Sequence, residues 1–302
     1  MSLKILPEDR RPKLKVLLNE KGFVRIIECH NGISGLIGER SKVNEKEFDG
    51  LWISSLTDSV AKGHPDEEIV SVDSRLDTIN QVLNVTEKPI IFDGDTGGFP
   101  EQLSHLIRQL EKLGVSAIVL EDKKYPKSNS LLKNAKHNME DIDLFAEKIR
   151  IAKETQKTKE FMVIGRIESF IVGESKEKAL WRAKAYLDAG ADGIMIHSKS
   201  SKADEILDFA KVYTKEFKNK KPLMCVPTTY HGVKEEELIN SGFNIVLYAN
   251  HLMRASFVAM NKVCEKILEH SRGSEAEELC ASLKDLLEPV GSVRTFKAEY
   301  EG

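Results

Sequence analysis

The segment IIFDGDTGG (90–98) places two carboxylates, Asp93 and Asp95, two residues apart at the end of an apolar run. On a strand, residues so spaced point to one side, and the glycines that follow let the backbone approach a ligand. Carboxylates crowded in this way repel each other unless they share a proton or a cation. Glu121, at the end of the next apolar run, completes a set of three oxygen donors of the hard-ligand kind that suits Mg²⁺ or Mn²⁺. The plainer alternative is an Asx turn with solvated carboxylates. A nucleotide-binding P-loop is excluded, because DGDTGG lacks the lysine and no GxxxxGK[ST] occurs.

After Glu121 comes DKKYPKSNSLLKNAKHN (122–138), a polar stretch with Lys123, Lys124, Lys127, Lys133 and Lys136. It is too long for a simple connection, and long polar loops in compact domains serve as lids or stay disordered. Its lysines, with Asn129 and Ser130, suit the enclosure of a phosphate or carboxylate as a loop closes and excludes water. A solvated charge run is the alternative. Arg166 stands within the apolar run FMVIGRI, where an unpaired charge is costly. It needs a partner, Glu168 or Glu121 or an anionic ligand, and the lysine loop nearby favours the ligand. Together these residues describe a Mg²⁺-dependent enzyme acting on a small anion.

Such residues need elements to position them. Eight short apolar runs alternate with segments of helical period: FVRIIE (23–28), GLWIS (50–54), PIIFD (89–93), SAIVLE (116–121), FMVIGRI (161–167), GIMIH (193–197), PLMCVP (222–227) and NIVLYA (244–249). They show little apolar/polar alternation, as befits strands buried on both faces of a parallel sheet. Leu103, Leu106, Ile107, Leu110 and Leu113 form one helical stripe, ended by Gly114, and Met253, Phe257, Met260, Cys264 and Ile267 form another, read as a packing face. Eight strands alternating with helices predict an α/β fold, a (β/α)8 TIM-type barrel, whose chemistry sits where strands end. Polar residues stand there: Glu28 and His30, Ser54 and Ser55, Asp93 and Asp95, Glu121, Arg166 and Glu168, His197, Thr228 and Asn250.

Composition agrees with an enzyme. The 302 residues carry 45 Lys and Arg against 48 Asp and Glu, a net charge of −3, and are 41% hydrophobic. That is enough to bury a large core, and the balance argues against a general nucleic-acid binder, which needs clustered positive charge. No run reaches the roughly 18–20 apolar residues of a membrane span, and MSLKILPEDRRPK has no apolar signal region. A cytoplasmic location is therefore expected. Cys29, Cys225, Cys264 and Cys280 stand far apart with no CxxC pair, which reads as buried free thiols. No linker divides the chain, so residues 1–302 are expected to form a single barrel domain, with a helical extension from about residue 274 whose AEELCASLKDLL packs on the barrel.

Taken together, ECHNGISGLI (28–37), GLWISSL (50–56), FDGDTGG (92–98), EDKKYPKSNS (121–130), GRIESFI (165–171), AGADGIMIHSK (189–199) and ANHLMRAS (249–256) resemble the phosphoenolpyruvate mutase branch of the isocitrate lyase superfamily. The resemblance runs from about Lys13 to about Ile267, and EDK, five residues, then NS is its most specific part. It implies isomerisation of phosphoenolpyruvate to phosphonopyruvate, the carbon–phosphorus bond-forming step of phosphonate biosynthesis. By the same resemblance Asp93 binds Mg²⁺ directly, and Asp95 and Glu121 hold its water ligands. Trp52, Ser54, Ser55 and Leu56 cradle the pyruvate part, and Asp66 is the active-site aspartate. Lys127, Asn129 and Ser130 belong to a gating loop, while Arg166 and His197 hold the phosphoryl group. The helix after the eighth strand (251–270) is, on this resemblance, exchanged between subunits of a homodimer or homotetramer. One segment departs from the family: the usual WGSGL reads WISSL, with Ile53 and Ser55 in place of glycines.

Three rivals are distinguishable. Carbon–carbon lyases of the superfamily carry a cysteine in a KKCG-type motif, and this chain has none between residues 30 and 224. Phosphonopyruvate hydrolase shares nearly all these residues but tends to lack the loop asparagine, so Asn129 favours a mutase. A non-catalytic metabolite-binding barrel would bind substrate without turnover.

Overall fold

The computed structural model describes residues 5–132, 137–217 and 221–291. All eight predicted strands are present: β1 Val24–Cys29, β2 Gly50–Ile53, β3 Ile90–Asp93, β4 Ala117–Glu121, β5 Met162–Ile167, β6 Gly193–Ile196, β7 Leu223–Cys225 and β8 Ile245–Tyr248. Each pairs in parallel with the next and β8 closes on β1, giving a closed barrel. Parallel pairing requires a crossover between consecutive strands, and helices supply it. They are α1 Lys13–Lys21 before the barrel, then α2 Gly32–Arg40, α3 Ser55–Ala61, α4 Val72–Leu83, α5 Pro100–Lys112, α6 Ile142–Thr155, α7 Lys176–Asp188, α8 Asp204–Glu216, α9 Glu235–Asn240, α10 His251–His270 and α11 Leu283–Val290. The expected stripe on α5 is buried at Leu103, Leu106, Ile107 and Leu110, and Gly114 takes φ +73° just beyond the helix.

Strand alternation divides the apolar residues into two cores. Val24, Ile26, Trp52, Ile91, Ala117, Val119, Met162, Ile164, Met195, Met224, Val226, Ile245 and Leu247 fill the barrel, with Leu14 of α1 packed among them. Leu51, Ile53, Ile90, Phe92, Ile118, Leu120, Val163 and Ile194 face the helices. Continuing the two-residue period upward from the inner set reaches Ser54 from Trp52, Asp93 from Ile91, Glu121 from Val119, Arg166 from Ile164 and His197 from Met195. The barrel interior thus becomes the site simply by changing from apolar to polar at the strand ends. Pairing register adds precision: Glu121 lies opposite Arg166, and Arg166 opposite Met195. Gly94 is required where it stands, since a Cβ there would lie 2.7 Å from the Ile118 side chain.

The C-terminal region corrects three expectations. Of the stripe on α10, Met253 is buried, but Phe257, Met260, Cys264 and Ile267 are exposed on this chain. In the segment after α10 Ala276 is buried, but Leu279, Leu283, Leu286 and Leu287 are exposed, so it does not pack on the barrel through its leucines either. The amphipathic period is real in both helices, but it does not specify which surface the apolar face meets. The thiols also split: Cys29 and Cys225 are buried on strands, whereas Cys264 and Cys280 are exposed. No helix among the described residues is long and apolar enough to cross a membrane.

Candidate active site

A small cavity of about 50 Å³ opens at the strand ends, and its wall gathers most of the residues singled out from sequence. Trp52, Ser54, Ser55, Leu56, Asp66, Asp93, Lys127, Asn129, Ser130, Arg166 and His197 all line it, joined by Met195, Val226, Thr228, Leu247, Ala249 and Asn250. Asp95 and Glu121 sit behind that wall, in contact with its cations. Lys127 Nζ lies 2.9 Å from Asp95 Oδ1 and 3.1 Å from Asp66 Oδ2. Arg166 Nη2 lies 3.4 Å from Glu121 Oε2.

The carboxylate side is held by donors from two helices. Ser55, at the start of α3, donates both its N–H (3.2 Å) and its hydroxyl (3.0 Å) to Asp93 Oδ2. Arg75 of α4 donates through Nη1 to Asp95 Oδ2 at 2.8 Å while its guanidinium lies 4.2 Å from the Phe92 ring centre. Burial raises the Asp93 carboxyl above its ordinary range, and the nearby Asp95 charge adds to this. Asp95 goes the other way: burial opposes its charge, but Lys127 and Arg75 outweigh it and hold the carboxyl low. Glu121 is the extreme case. Burial pushes it up to about 7 against the opposing pull of Lys127, Arg166 and Lys123. Neither Glu121 oxygen receives a hydrogen bond from a described residue.

The opposite wall is cationic and more fully paired. Arg166 finds Glu168 through Nε and also lies 2.9 Å from His197 Nδ1, so the buried guanidinium has the carboxylate partner its strand position demands. Ser130 of the loop donates to Glu168 Oε2 at 2.6 Å and accepts from Lys123. Burial lowers the His197 imidazole below the usual histidine range, with Glu168 opposing. Glu168 itself is held well below the carboxylate range, because Arg166, His197 and Lys123 together outweigh its burial.

The loop after β4 lies over this cavity. Lys127 and Ser130 are buried, and Asn129 Nδ2 donates to Asp66 Oδ2 at 2.7 Å. Burial disfavours the Lys127 charge, but Asp95, Glu121, Asp66 and Asp93 hold the ammonium well above the ordinary lysine range. Lys124 points to solvent, and Lys133 and Lys136 lie outside the described residues. His30 and Glu28 stand apart from the cavity, with Glu28 accepting from Met253 N–H and Thr57 Oγ1 as a structural tie to α10 and α3.

The profile of the family described as Phosphoenolpyruvate phosphomutase matches residues 14–268. The chain belongs to that family. It is 37% identical over 288 residues to the phosphoenolpyruvate phosphomutase of Tetrahymena pyriformis, covering 95% of this chain and 93% of that one. The crystal structure of phosphoenolpyruvate phosphomutase from Streptomyces platensis subsp. rosaceus superposes with a TM-score of 0.86 at 34% identity, covering 92% of this chain and 94% of that one. A phosphonopyruvate hydrolase, solved with oxalate and Mg²⁺, superposes with a TM-score of 0.83 at 31% identity over 93% and 95% of the two chains.

The residue types also fit a divalent cation. Glu121, with two buried oxygens that accept no hydrogen bond and only the longer ion contacts of Arg166 and Lys123 at 3.4 and 4.0 Å, stands beside two further aspartates, an environment in which a hard cation can replace missing hydrogen bonds. No group of three His, Cys, Asp or Glu among the described residues is arranged to hold an ion directly. Sequence reasoning missed Arg75 and Glu68. Arg75 was legible in retrospect: it shares a face of α4 with Ile79 and Val82, a charge in a buried stripe. Glu68, in HPDEEIV, carries no such signal.

Proposed function

We propose that the protein interconverts phosphoenolpyruvate and phosphonopyruvate by intramolecular phosphoryl transfer, an isomerase reaction of phosphonate biosynthesis. The observation that carries this reading is the pairing of Asn129 with Asp66 beneath a loop that buries Lys127 and Ser130. Phosphoryl transfer passes through a loose, metaphosphate-like state, so the protein contributes positioning, charge and exclusion of water. In this reading Arg166, His197, Asn129 and Ser130 hold the PO₃ unit, and Lys127 and Asp66 keep the loop over it. Trp52, Ser54, Ser55 and Leu56 orient the pyruvate part so that its carbon, or its oxygen, faces the same phosphorus.

Asp93, with Asp95 and Glu121 through water, would hold Mg²⁺, with Mn²⁺ as an alternative. The ion, when bound, stabilises the negative charge of the enolate. The substrate is a small molecule, and neither nucleic acid nor membrane is a partner. We further propose a single cytoplasmic barrel domain, residues 1–302 including the helical extension, that assembles as a homodimer or homotetramer. The exposed apolar face of α10, with Phe257 at 60% and Leu268 at 80% exposure, supports its exchange between subunits.

Phosphorus NMR of the protein with Mg²⁺ and phosphonopyruvate tests the reaction. Formation of phosphoenolpyruvate is expected. Phosphate and pyruvate without phosphoenolpyruvate would make the protein a hydrolase, and an unchanged spectrum would overturn both. Asn129→Ala should lower mutase turnover by about tenfold or more with the fold intact, and an unchanged rate would remove Asn129 from the mechanism.

A further inference from the structure

Glu68 lies in the loop between α3 and α4 with a left-handed backbone, φ +56°. A residue with a Cβ adopts that conformation only where its surroundings over-determine it. Here its own carboxylate does so. Oε1 accepts from both the N–H (3.0 Å) and the hydroxyl (2.7 Å) of Thr96. Oε2 accepts the main-chain N–H of Lys127 at 2.8 Å. Thr96 follows Asp95, which is itself left-handed at φ +50°, in the turn after β3. One carboxylate therefore joins the turn that carries Asp93 and Asp95 to the loop that carries Lys127, Asn129 and Ser130. Asp66 holds the same loop by its side chains, whereas Glu68 holds its backbone. On its far side Glu68 borders a cavity of about 300 Å³, shared with Arg75, Asp95, Gly97, Gly98 and Tyr125, which has room for water.

We infer that Glu68 is a positioning residue that clasps the loop to the aspartate turn, and that this clasp sets how phosphonopyruvate divides between isomerisation and hydrolysis. The inference rests on the reaction proposed above. With the clasp closed, the phosphoryl group has only the enolate oxygen to meet. With it open, solvent water enters: the P–C bond breaks, a P–O bond to the water oxygen forms, and the enolate takes a proton at carbon, giving phosphate and pyruvate.

Glu68→Gln keeps the shape. Thr96 presents two donors, so the amide oxygen turns toward it and the NH₂ faces the Lys127 N–H, donor against donor. Glu68→Gly removes the clasp without cost to the left-handed backbone. In the full chain, amide hydrogen exchange in residues 122–132 should quicken about tenfold or more in both variants, with other regions unchanged. Phosphorus NMR with Mg²⁺ and phosphonopyruvate should show the phosphate-to-phosphoenolpyruvate ratio rise about fivefold or more, and kcat should fall more than KM. Unchanged loop exchange would overturn the clasp whatever the reaction. Faster exchange with an unchanged product ratio would overturn its control of partition. A wild-type protein inert toward phosphonopyruvate would overturn the reaction and the partition with it, while exchange would still decide the clasp.

Discussion

Glu121 and Asp122 are neighbours in sequence, both buried, and they behave oppositely. Strand alternation turns Glu121 into the barrel and Asp122 outward to the helices. Asp122 Oδ1 accepts from Glu168 N–H at 2.9 Å, and Oδ2 accepts from Tyr186 OH at 2.7 Å and Arg182 Nη1 at 3.2 Å. Glu121 has no hydrogen bond from a described residue on either oxygen. A buried carboxylate whose lone pairs are used is scaffold. One whose lone pairs are left over is built for something that arrives from outside the chain. Burial alone, or a raised pKa alone, would not separate the two, since burial pushes Asp122 up to about 6 and Glu121 up to about 7.

Substitution should separate them most sharply. Asp122→Asn sets an amide NH₂ against donors on whichever side it faces, Glu168 N–H or Tyr186 and Arg182, and should cost about 2 kcal/mol of stability, read by urea unfolding at neutral pH. Glu121→Gln removes a buried charge that no hydrogen bond holds and whose burial outweighs its longer ion contacts with Arg166 and Lys123. Without divalent cations this variant should unfold no more easily than wild type, yet its Mg²⁺-dependent turnover should fall about 10–100-fold, as for residues that hold a metal through water. If Asp122→Asn proved neutral, or Glu121→Gln proved the more destabilising, the division between scaffold and site would fail.

The pH dependence sharpens the same contrast at smaller amplitude. Both carboxyls have folded-state values above their unfolded ones, 3.8 for Asp122 and 4.5 for Glu121. The folded protein therefore keeps protons that the unfolded chain releases. The stability they contribute is fully present below those unfolded values and is lost as pH rises through about 6 for Asp122 and about 7 for Glu121. In cation-free buffer, unfolding free energy should decline across this window. Asp122→Asn should flatten the lower part and Glu121→Gln the upper part. A profile that neither variant changes would mean that the two groups ionise as freely folded as unfolded.

How much of this was legible in the sequence depends on whether a residue's role follows from its own position or from what it meets. Asp93, Glu121, Arg166 and His197 follow from strand period: each continues an inward-facing series of apolar residues, so their convergence is visible once the strands are. Arg166 in an apolar run announced a buried partner, and Glu168 supplies it. Glu68 was not legible, because its role depends on a turn and a loop far away in the chain, and acidic residues in HPDEEIV look like any solvated bend. The faces of α10 and α11 were legible as amphipathic but not as exposed, since periodicity gives a face and not its neighbour.

Ser55 is the smallest and most local case, and it bears on the same question of used and unused lone pairs. On the resemblance noted in the sequence Ser55 stands where glycine is usual, and its hydroxyl either narrows the pocket or serves the carboxylate, whereas Ile53, the other such position, packs among the outer core and does not reach the cavity. The geometry favours service, since the hydroxyl donates to Asp93 Oδ2 at 3.0 Å and accepts from Lys127 Nζ at 3.2 Å. Losing one such bond, worth about 1 kcal/mol, should lower kcat/KM roughly fivefold. Ser55→Gly and Ser55→Ala should then behave alike, because both lose the hydroxyl while the backbone N–H still reaches Asp93. If the side chain acted only by bulk, Ser55→Gly would lower KM and Ser55→Ala would leave it near wild type, so the pair of variants decides which role the hydroxyl has.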